Sequence, residues 1–325
     1  MAQITCRDAI NQALQEEMGR DPQTILLGED VALYEGSFKV TKGLLARFGE
    51  KRVIDTPISE AGLVGFGCGG AMTGLRPIVE LMTVNFGLVA MDQIMNHVAV
   101  VRYMFGGQTK VPLTIRAPGG AGHQLGAQHS HSIEALLMHC PGLRVVAPSM
   151  PADAKGLLKS AIRSDDPVFF VEHEGLYGVK GEVPEGDVTI PLGVADIKRK
   201  GKDVTLITLS RMVYVCLEAA EKLAEQGIEA EVLDLRGLNP LDLPTVLESV
   251  EKTGRAVTVE ECWLTGGWGG ELAALVMEHA FASLSAPVLR VGSADVPMPY
   301  NKKLEQAALP DVDRVVARVR EVMEL

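Results

Sequence analysis

The feature that most limits the fold of this chain is a regular alternation of short β-branched runs with stretches of helical period. The runs TILLGED, RPIVEL, VPLTIRAP and PVFFVEH have the length and composition of buried strands, and helical segments separate them. Strands that alternate with helices are typical of βαβ units built around a mainly parallel sheet. The chain is therefore predicted to be an α/β protein. Its opening segment fits a helix capped by Thr5, and a further helix is predicted over residues 92–103.

The alternation is interrupted after Tyr177, and this interruption predicts a domain boundary. The stretch GVKGEVPEGDVTIPLG is rich in Gly, Pro and charge and has little helical period, which is typical of a linker or an extended crossing segment. The alternation then restarts with DVTLITLS. We predict a first domain over residues 1–185, a linker over 186–200 and a second, smaller α/β domain over 201–325.

Charge and cysteine content restrict the kind of partner and the location. Lysine and arginine total 31 against 42 aspartates and glutamates, which gives a formal net charge of −11. Nucleic acids and anionic membranes are not expected as partners, because both require a basic surface. The chain shows no signal-peptide pattern, and its five separated cysteines are interpreted as buried thiols. A cytoplasmic protein, or the mature form of an organelle protein, is predicted.

The stretch DTPISEAGLVGFGCGGAMTGLRP combines carboxylates with closely spaced glycines. Gly65, Gly67 and Gly70 have the G-x-G-x-x-G spacing of a dinucleotide-binding loop, but SEAGLV separates them from the preceding strand-like run RVIDTP. This context places the glycines inside a helix, where small residues allow another helix or a subunit to approach closely. A nicotinamide cofactor is kept only as a remote alternative.

Glu60 lies at the start of the same helix, close to Asp55, Thr56 and Ser59. One interpretation is a first-turn carboxylate that the helix dipole stabilises. The other is a buried carboxylate with a function, because the glycine-rich surface behind it suggests an interface, where a buried charge needs a reason. The residues alone leave both interpretations open.

The stretch GGAGHQLGAQHSHS carries His123, His129 and His131 in a loop before a helix predicted from Ser132. Loops at the carboxyl ends of parallel strands commonly bind ligands. A metal site on two of these histidines lacks a nearby third ligand, and a serine hydrolase using Ser130 lacks the G-x-S-x-G motif. A histidine that donates a proton or lies beside a phosphate needs no further partner.

A third stretch, VELMTVNFGLVAMDQ, places Met82 and Phe86 four residues apart in a chain with only 5% aromatic residues. Such a pair is either ordinary core or an apolar face on which a planar heterocycle stacks. Both interpretations stay open.

Taken together, DTPISEAGLVGFGCGGAMTGLRPIVELMTVNF, GAQHSHS, HCPGLRVVAPSMPADAKGLLKSAIRSDDPVFFVEHEGLYG and VEECWLTGGWGGEL resemble the β subunit of the E1 component of 2-oxoacid dehydrogenase complexes. Within this family the sequence is most similar to pyruvate dehydrogenase E1 β, over nearly the whole chain. The resemblance implies a transketolase-type pyrimidine-binding domain, a smaller transketolase C-terminal domain, and a thiamine diphosphate enzyme that decarboxylates pyruvate and acetylates the lipoyl domain of E2. Acetoin or a branched-chain 2-oxoacid as substrate, and a non-catalytic scaffold that docks E2, remain alternatives.

The resemblance also implies roles for five residues. Glu60 would hold N1′ of the aminopyrimidine and so promote loss of the thiazolium C2 proton. Phe86 would stack on the pyrimidine, with Met82 beside it. His129 would lie near the thiazolium and donate a proton during acyl transfer, and Glu29 would join an acidic path between the two sites of the tetramer.

Partners and metals follow from the same resemblance. The family assembles as an α2β2 heterotetramer, and E2 contributes a subunit-binding domain and a lipoyl domain. The chain has no GDG motif, so Mg²⁺ and the diphosphate are expected to be held by the α subunit. Some members hold potassium on backbone oxygens, and the matching positions, of which the last two differ from the expected Asp and Asn, are Leu113, Ala161, Ile162, Ser164 and Asp166.

Overall fold

The computed structural model describes residues 2–324, which fall into two compact units. The N-terminal unit comprises the residues up to Gly119 together with Leu136–Leu192. The C-terminal unit comprises Gly120–Ala135 together with the residues from Gly193 onward. The segment Gly120–Ala135 thus folds with the C-terminal unit, although it lies in the first half of the chain. The domain boundaries 1–185, 186–200 and 201–325 stay a prediction.

The N-terminal unit is built on parallel strands. In the order β6-β7-β5-β4-β2-β3, each strand pairs in parallel with its neighbour, while β1 pairs antiparallel with β8. Short 3₁₀ helices occur at Val84–Leu88 and Glu174–Leu176, and a π-helix occurs at Gln93–Val98. The strands and α-helices are β1 (Ala2–Thr5), α1 (Cys6–Arg20), β2 (Thr24–Gly28), α2 (Leu44–Phe48), β3 (Val53–Asp55), α3 (Glu60–Met72), β4 (Arg76–Glu80), α4 (Val101–Met104), β5 (Thr114–Gly119), α5 (Glu134–Met138, which begins in the C-terminal unit), β6 (Arg144–Val146), α6 (Pro151–Arg163), β7 (Val168–His173) and β8 (Lys180–Val183).

Helix α1 begins where its sequence predicts. Thr5 is the N-cap, and its side-chain oxygen accepts a hydrogen bond from the backbone nitrogen of Asp8 at 3.1 Å. Ile10 and Leu14 lie on the buried face of the helix and share a hydrophobic cluster with Leu158 of α6. The apolar residues of α1 therefore lie on one face of the helix, and this face packs together with α6 against the sheet.

Helix α3 contains the glycines that the sequence places inside a helix, and this prediction is confirmed. A Cβ atom at Gly67 would lie 2.7 Å from Cγ2 of Val79 and 3.1 Å from Cδ1 of Leu113. At Gly65 the nearest atom is Oε1 of Gln93, in the π-helix, at 3.1 Å. The close approach that the glycines permit is therefore to the sheet as well as to a neighbouring helix.

The helix predicted over residues 92–103 is wrong in type. The structure forms the π-helix first, with the backbone nitrogen of Ala99 bonded to the oxygen of Ile94 at 3.0 Å, and then the short α4. A hydrogen bond in a π turn spans one more residue than in an α turn. Over so few residues, the spacing of apolar residues does not distinguish a π-helix from an α-helix.

The C-terminal unit repeats the α/β pattern on a second sheet. The strand order is β14-β13-β10-β11-β9, in which only β9 is antiparallel to its neighbour. Both sheets are thus mainly parallel, which confirms the predicted fold class. The elements are β9 (Asp196–Arg199), β10 (Val204–Thr208), α7 (Met212–Ala224), β11 (Ala230–Asp234), β12 (Gly237–Asn239), α8 (Leu243–Thr253), β13 (Ala256–Trp263), α9 (Trp268–Ala280), a 3₁₀ helix at Phe281–Ser283, β14 (Leu289–Ser293), α10 (Lys302–Ala308) and α11 (Val312–Glu324).

Two further findings concern the chain as a whole. All five cysteines are buried and free of disulfides, as the sequence predicts. Within residues 2–324, no helix has both the length and the apolar character required to cross a membrane.

Candidate active site

Three neighbouring strands of the N-terminal unit bring predicted site residues to one edge of the sheet. Glu29 follows β2, Glu60 opens α3 shortly after β3, and Met82 follows β4. Because β2 lies between β3 and β4 and all three are parallel, their carboxyl ends meet at the same edge. Phe86 lies in the 3₁₀ helix that leaves this edge. The structure therefore brings to one edge four of the five residues to which the resemblance assigns a role.

Glu60 is buried, with 7% of its surface exposed, at the first position of α3. The nearby Asp55 has a different function, since its carboxylate accepts hydrogen bonds from the backbone nitrogens of Ala32 at 2.6 Å and Leu33 at 3.1 Å. The Ser59 side chain makes no capping hydrogen bond to the helix. Asp55 thus organises the loop after β2, whereas the Glu60 carboxylate lies at the positive end of a helix dipole.

Glu29 is a second buried carboxylate beside Glu60. Its Oε1 atom is buried without a hydrogen-bond partner. Burial raises the pKa of Glu29, and the charges of Glu60 and Asp30 raise it further. The two side chains are thus close enough to interact electrostatically, and burial disfavours the charged form of Glu29 relative to its form in water.

Met82 and Phe86 supply the apolar part of this edge. Both are half-buried, so each retains a surface that a ligand can contact. An aromatic ring and a thioether next to two carboxylates suit a flat heterocycle that is apolar on its faces and polar at its rim.

An ion-pair network that the sequence did not predict lies in the same sheet. Arg116 of β5 is fully buried and pairs with Glu80 at the end of β4 and with Glu172 of β7, whose Oε1 lies 2.7 Å from the arginine Nε. Tyr177 donates its hydroxyl to Glu172 Oε2 at 2.6 Å. The backbone oxygen of Arg116 also accepts a hydrogen bond from Leu81, the residue before Met82. Charged residues at the ends of the apolar runs RPIVEL, VPLTIRAP and PVFFVEH were the signal for this network.

His129 lies in the segment Gly120–Ala135 and therefore in the C-terminal unit, separate from the unit that carries Glu60. It is half-buried, and its backbone nitrogen bonds the oxygen of Gly126 at 3.3 Å. His131 packs edge-on against Trp263 at 5.5 Å between ring centroids, and burial lowers its pKa. In the part of the chain that the structure describes, no cluster of three metal-ligating His, Cys, Asp or Glu side chains occurs.

The five backbone oxygens expected to bind potassium all accept hydrogen bonds within the chain. Arg76 Nη1 donates to the oxygens of Ile162 at 3.2 Å and Ser164 at 3.0 Å. A guanidinium thus already supplies positive charge to two of the expected ligands, and a second cation beside it would be repelled. These residues fit a potassium ion poorly as they are arranged. The other three oxygens, of Leu113, Ala161 and Asp166, accept from Val168 N, Ser164 N and Ser164 Oγ.

Comparison with known proteins first defines the class. The family described as "Transketolase, pyrimidine binding domain" matches residues 2–180, and "Transketolase, C-terminal domain" matches residues 193–315. A solved "Split gene transketolase, inactive beta4 tetramer" is 28% identical, with a TM-score of 0.82 over 100% of this chain and 99% of that one. A mutant transketolase from Pichia stipitis, 16% identical with a TM-score of 0.73 over 100% of this chain and 46% of that one, shows the same fold. The protein is a transketolase-type α/β protein.

The curated relatives define the particular family. "Pyruvate dehydrogenase E1 component subunit beta" of Rhizobium meliloti (strain 1021) is 51% identical over 99% of this chain and 70% of that protein. The mitochondrial beta-1 subunit of Arabidopsis thaliana is 50% identical over 97% of this chain and 88% of that protein. The Rickettsia felis protein is 49% identical over 98% of both chains. The chain belongs to the family of pyruvate dehydrogenase E1 β subunits, which confirms the resemblance drawn from its sequence.

Proposed function

We propose that this chain provides the pyrimidine-binding half of a thiamine diphosphate site in a pyruvate dehydrogenase E1, with Glu60 as the activating carboxylate. The observation that carries the proposal is the buried Glu29–Glu60 pair at the carboxyl edge of the sheet. It occurs in a chain whose relatives, about 50% identical, are named as β subunits of this enzyme.

The residues at the sheet edge fit the aminopyrimidine of the cofactor. The Glu60 carboxylate would accept a hydrogen bond from N1′ in its protonated form, Phe86 would stack on the ring, and Met82 would pack beside it. Glu29, whose pKa is raised by burial and by the charge of Glu60, would link Glu60 to an acidic path toward a second site. The bound cofactor would supply a carbon nucleophile for the keto group of pyruvate and accept the electron pair that carbon dioxide leaves behind.

His129 would act in the second half of the reaction. A half-buried imidazole can take up and give back a proton. We propose that His129 donates a proton to the sulfur that is released when the lipoyl disulfide of E2 opens, while the other sulfur of that disulfide receives the acetyl group.

The diphosphate half of the site would come from an α subunit that also holds Mg²⁺, in an α2β2 heterotetramer. The absence of a GDG motif from this sequence supports this assignment. The structural neighbour described as an inactive β4 tetramer is consistent with it, since that split-gene protein is inactive in this form.

Several finer points stay proposals. E2 would dock through its subunit-binding domain and present its lipoyl domain. A cytoplasmic location is supported by five unpaired cysteines, which are typical of a reducing compartment. Potassium at the five backbone oxygens stays a prediction that the Arg76 contacts weaken, and exchange of sodium for potassium in a thermal unfolding experiment tests it.

The proposed function is tested by calorimetric titration of thiamine diphosphate and Mg²⁺ into the chain, alone and then mixed with the α-like subunit. We expect binding only in the mixture, and we expect Glu60→Gln to abolish decarboxylation while the assembly persists. Asp153→Asn is the matched control, because Asp153 is also a buried first-turn carboxylate of a helix in the same unit.

Each part of the proposal can be refuted separately. Equal effects of the two variants would reduce Glu60 to a helix-stabilising residue. Tight cofactor binding by the chain alone would remove the need for a partner. Higher kcat/KM on acetoin or 3-methyl-2-oxobutanoate than on pyruvate would reassign the substrate.

A further inference from the structure

The segment Gly120–Ala135, which carries His129, is held by two carboxylates from distant parts of the C-terminal unit. We infer that Glu305 and Glu261 are positioning residues that fix the His129 segment for acyl transfer. This inference rests on the proposed function, because it takes His129 to act in the transfer step. It goes beyond that function by assigning to the C-terminal unit a direct part in this step.

Glu305 of α10 holds the first part of the segment. Its side chain is fully buried, and Oε1 accepts hydrogen bonds from the backbone nitrogens of Gly122 at 3.0 Å and Gln124 at 3.1 Å. Oε2 accepts from Nε2 of Gln124 at 2.7 Å. A buried carboxylate is costly unless such donors surround it, so the loop and Glu305 depend on each other.

Glu261 of β13 connects the two ends of the segment. Its Oε1 accepts from the backbone nitrogen of Ala121 at 2.8 Å and from Oγ of Ser132 at 3.3 Å. Arg211 completes the contact, because its Nη1 donates to the oxygen of Ala121 at 3.0 Å and lies 3.4 Å from Glu261 Oε2. His129 is thus carried on a loop whose entry and exit bind the same carboxylate.

The backbone of the segment needs this support. Gln124 has a φ of 55°, in the left-handed region that costs a non-glycine residue about 1–2 kcal/mol, and Gly122 and Gly126 also have positive φ. A loop in such a conformation persists only when surrounding contacts determine it. Loss of the carboxylates therefore lets the loop relax, and His129 moves with it.

The experiment uses the assembled enzyme with its α subunit, pyruvate and a lipoyl domain. Two rates are measured for each variant: decarboxylation with an artificial electron acceptor, and acetylation of the lipoyl domain. For Glu305→Gln and Glu261→Gln we expect the ratio of acetylation to decarboxylation to fall roughly 10- to 100-fold, the effect of misplacing a reacting group by about 1 Å. Ser132→Ala, which removes a single bond to Glu261, should give a smaller fall in the same direction and covers the case in which a Gln variant does not fold.

The matched control is Glu231→Gln in the same unit. Glu231 is fully buried, as Glu305 is, but its carboxylate accepts hydrogen bonds from Ser249, Lys252 and Gly201. A purely structural effect would lower both rates together, in this control as in the test variants. The double variant Glu305→Gln with Gln124→Glu exchanges the two partners of the side-chain hydrogen bond. It should restore part of the ratio of acetylation to decarboxylation.

The outcomes separate the inference from the proposed function. If His129→Ala lowers the ratio and the Glu305 and Glu261 variants do not, the positioning inference is wrong while the proposed function stands. If His129→Ala leaves the ratio unchanged, the role proposed for His129 is wrong, and the inference falls with it. A selective fall in the Glu305 and Glu261 variants, absent from the Glu231 control, is the result that we expect.

Discussion

A methyl group added at Gly67 tests why the helix that begins at Glu60 is rich in glycine. Gly67 and Gly69 lie two residues apart in α3, and both are replaced by alanine in separate variants. In a helix interior, alanine is favoured over glycine by about 1 kcal/mol. If helix propensity alone decided the outcome, both variants would be more stable than the parent protein.

The surroundings of the two positions differ, and this difference sets the expected change in unfolding free energy for each variant. At Gly69 a new Cβ would meet no atom within 4 Å, so Gly69→Ala should gain about 1 kcal/mol in unfolding free energy. At Gly67 the same atom would lie 2.7 Å from Cγ2 of Val79, a fully buried β-branched side chain on β4. Overpacking of this kind costs about 1–3 kcal/mol, so Gly67→Ala should be the less stable variant by about that amount.

The assay is urea unfolding followed by far-UV circular dichroism, with midpoints and slopes compared between the variants. We also expect weaker binding of thiamine diphosphate by the assembled Gly67→Ala protein, because α3 would move away from β4 and carry Glu60 with it. The reasoning is refuted if Gly67→Ala is as stable as Gly69→Ala, since the sheet would then accommodate the methyl group.

Two further predictions concern buried titratable groups. Burial raises the pKa of Glu134 from 4.5 to about 7. The stability that the protonated side chain contributes is therefore fully present below pH 4.5. It is lost as the pH rises through about 7, which lowers the free energy of unfolding by about 3 kcal/mol. Glu134→Gln should therefore be more stable than the parent at pH 8.5 and not at pH 4.5. The same difference in urea midpoint between variant and parent at both pH values would contradict this. Burial also raises the thiol pKa of Cys6 and of Cys216 to about 12, so iodoacetamide at pH 8 should label these cysteines only after unfolding, as peptide mass analysis would show.

Local patterns in the sequence predicted what is determined locally. The alternation of strands and helices, the Thr5 cap of α1 and the position of Glu60 in a first helical turn all depend on residues a few places apart. The contacts that hold the His129 segment do not: Gly122 and Glu305 are separated by 183 residues. Arg116 likewise pairs with carboxylates 36 and 56 residues away. Such contacts are set by tertiary packing, which the apolar period of a single segment does not report.

The residues with proposed catalytic roles belong to two different compact units, and each unit supports its own residues. Glu60 and Glu29 depend on the parallel strands of the N-terminal unit, whereas the backbone around His129 depends on Glu305 and Glu261 of the C-terminal unit. The first pair would act in activating the cofactor, and His129 would act in transferring the acetyl group. Substitution of Glu305 or Glu261 should thus separate the two half-reactions, because it disturbs the support of His129 and leaves the Glu29–Glu60 pair intact. If the C-terminal unit only docked a partner, damage to it would lower the affinity for E2, and saturating lipoyl domain would restore the rate of acetylation. A fall in acetylation that persists at saturating lipoyl domain therefore points to the transfer step itself.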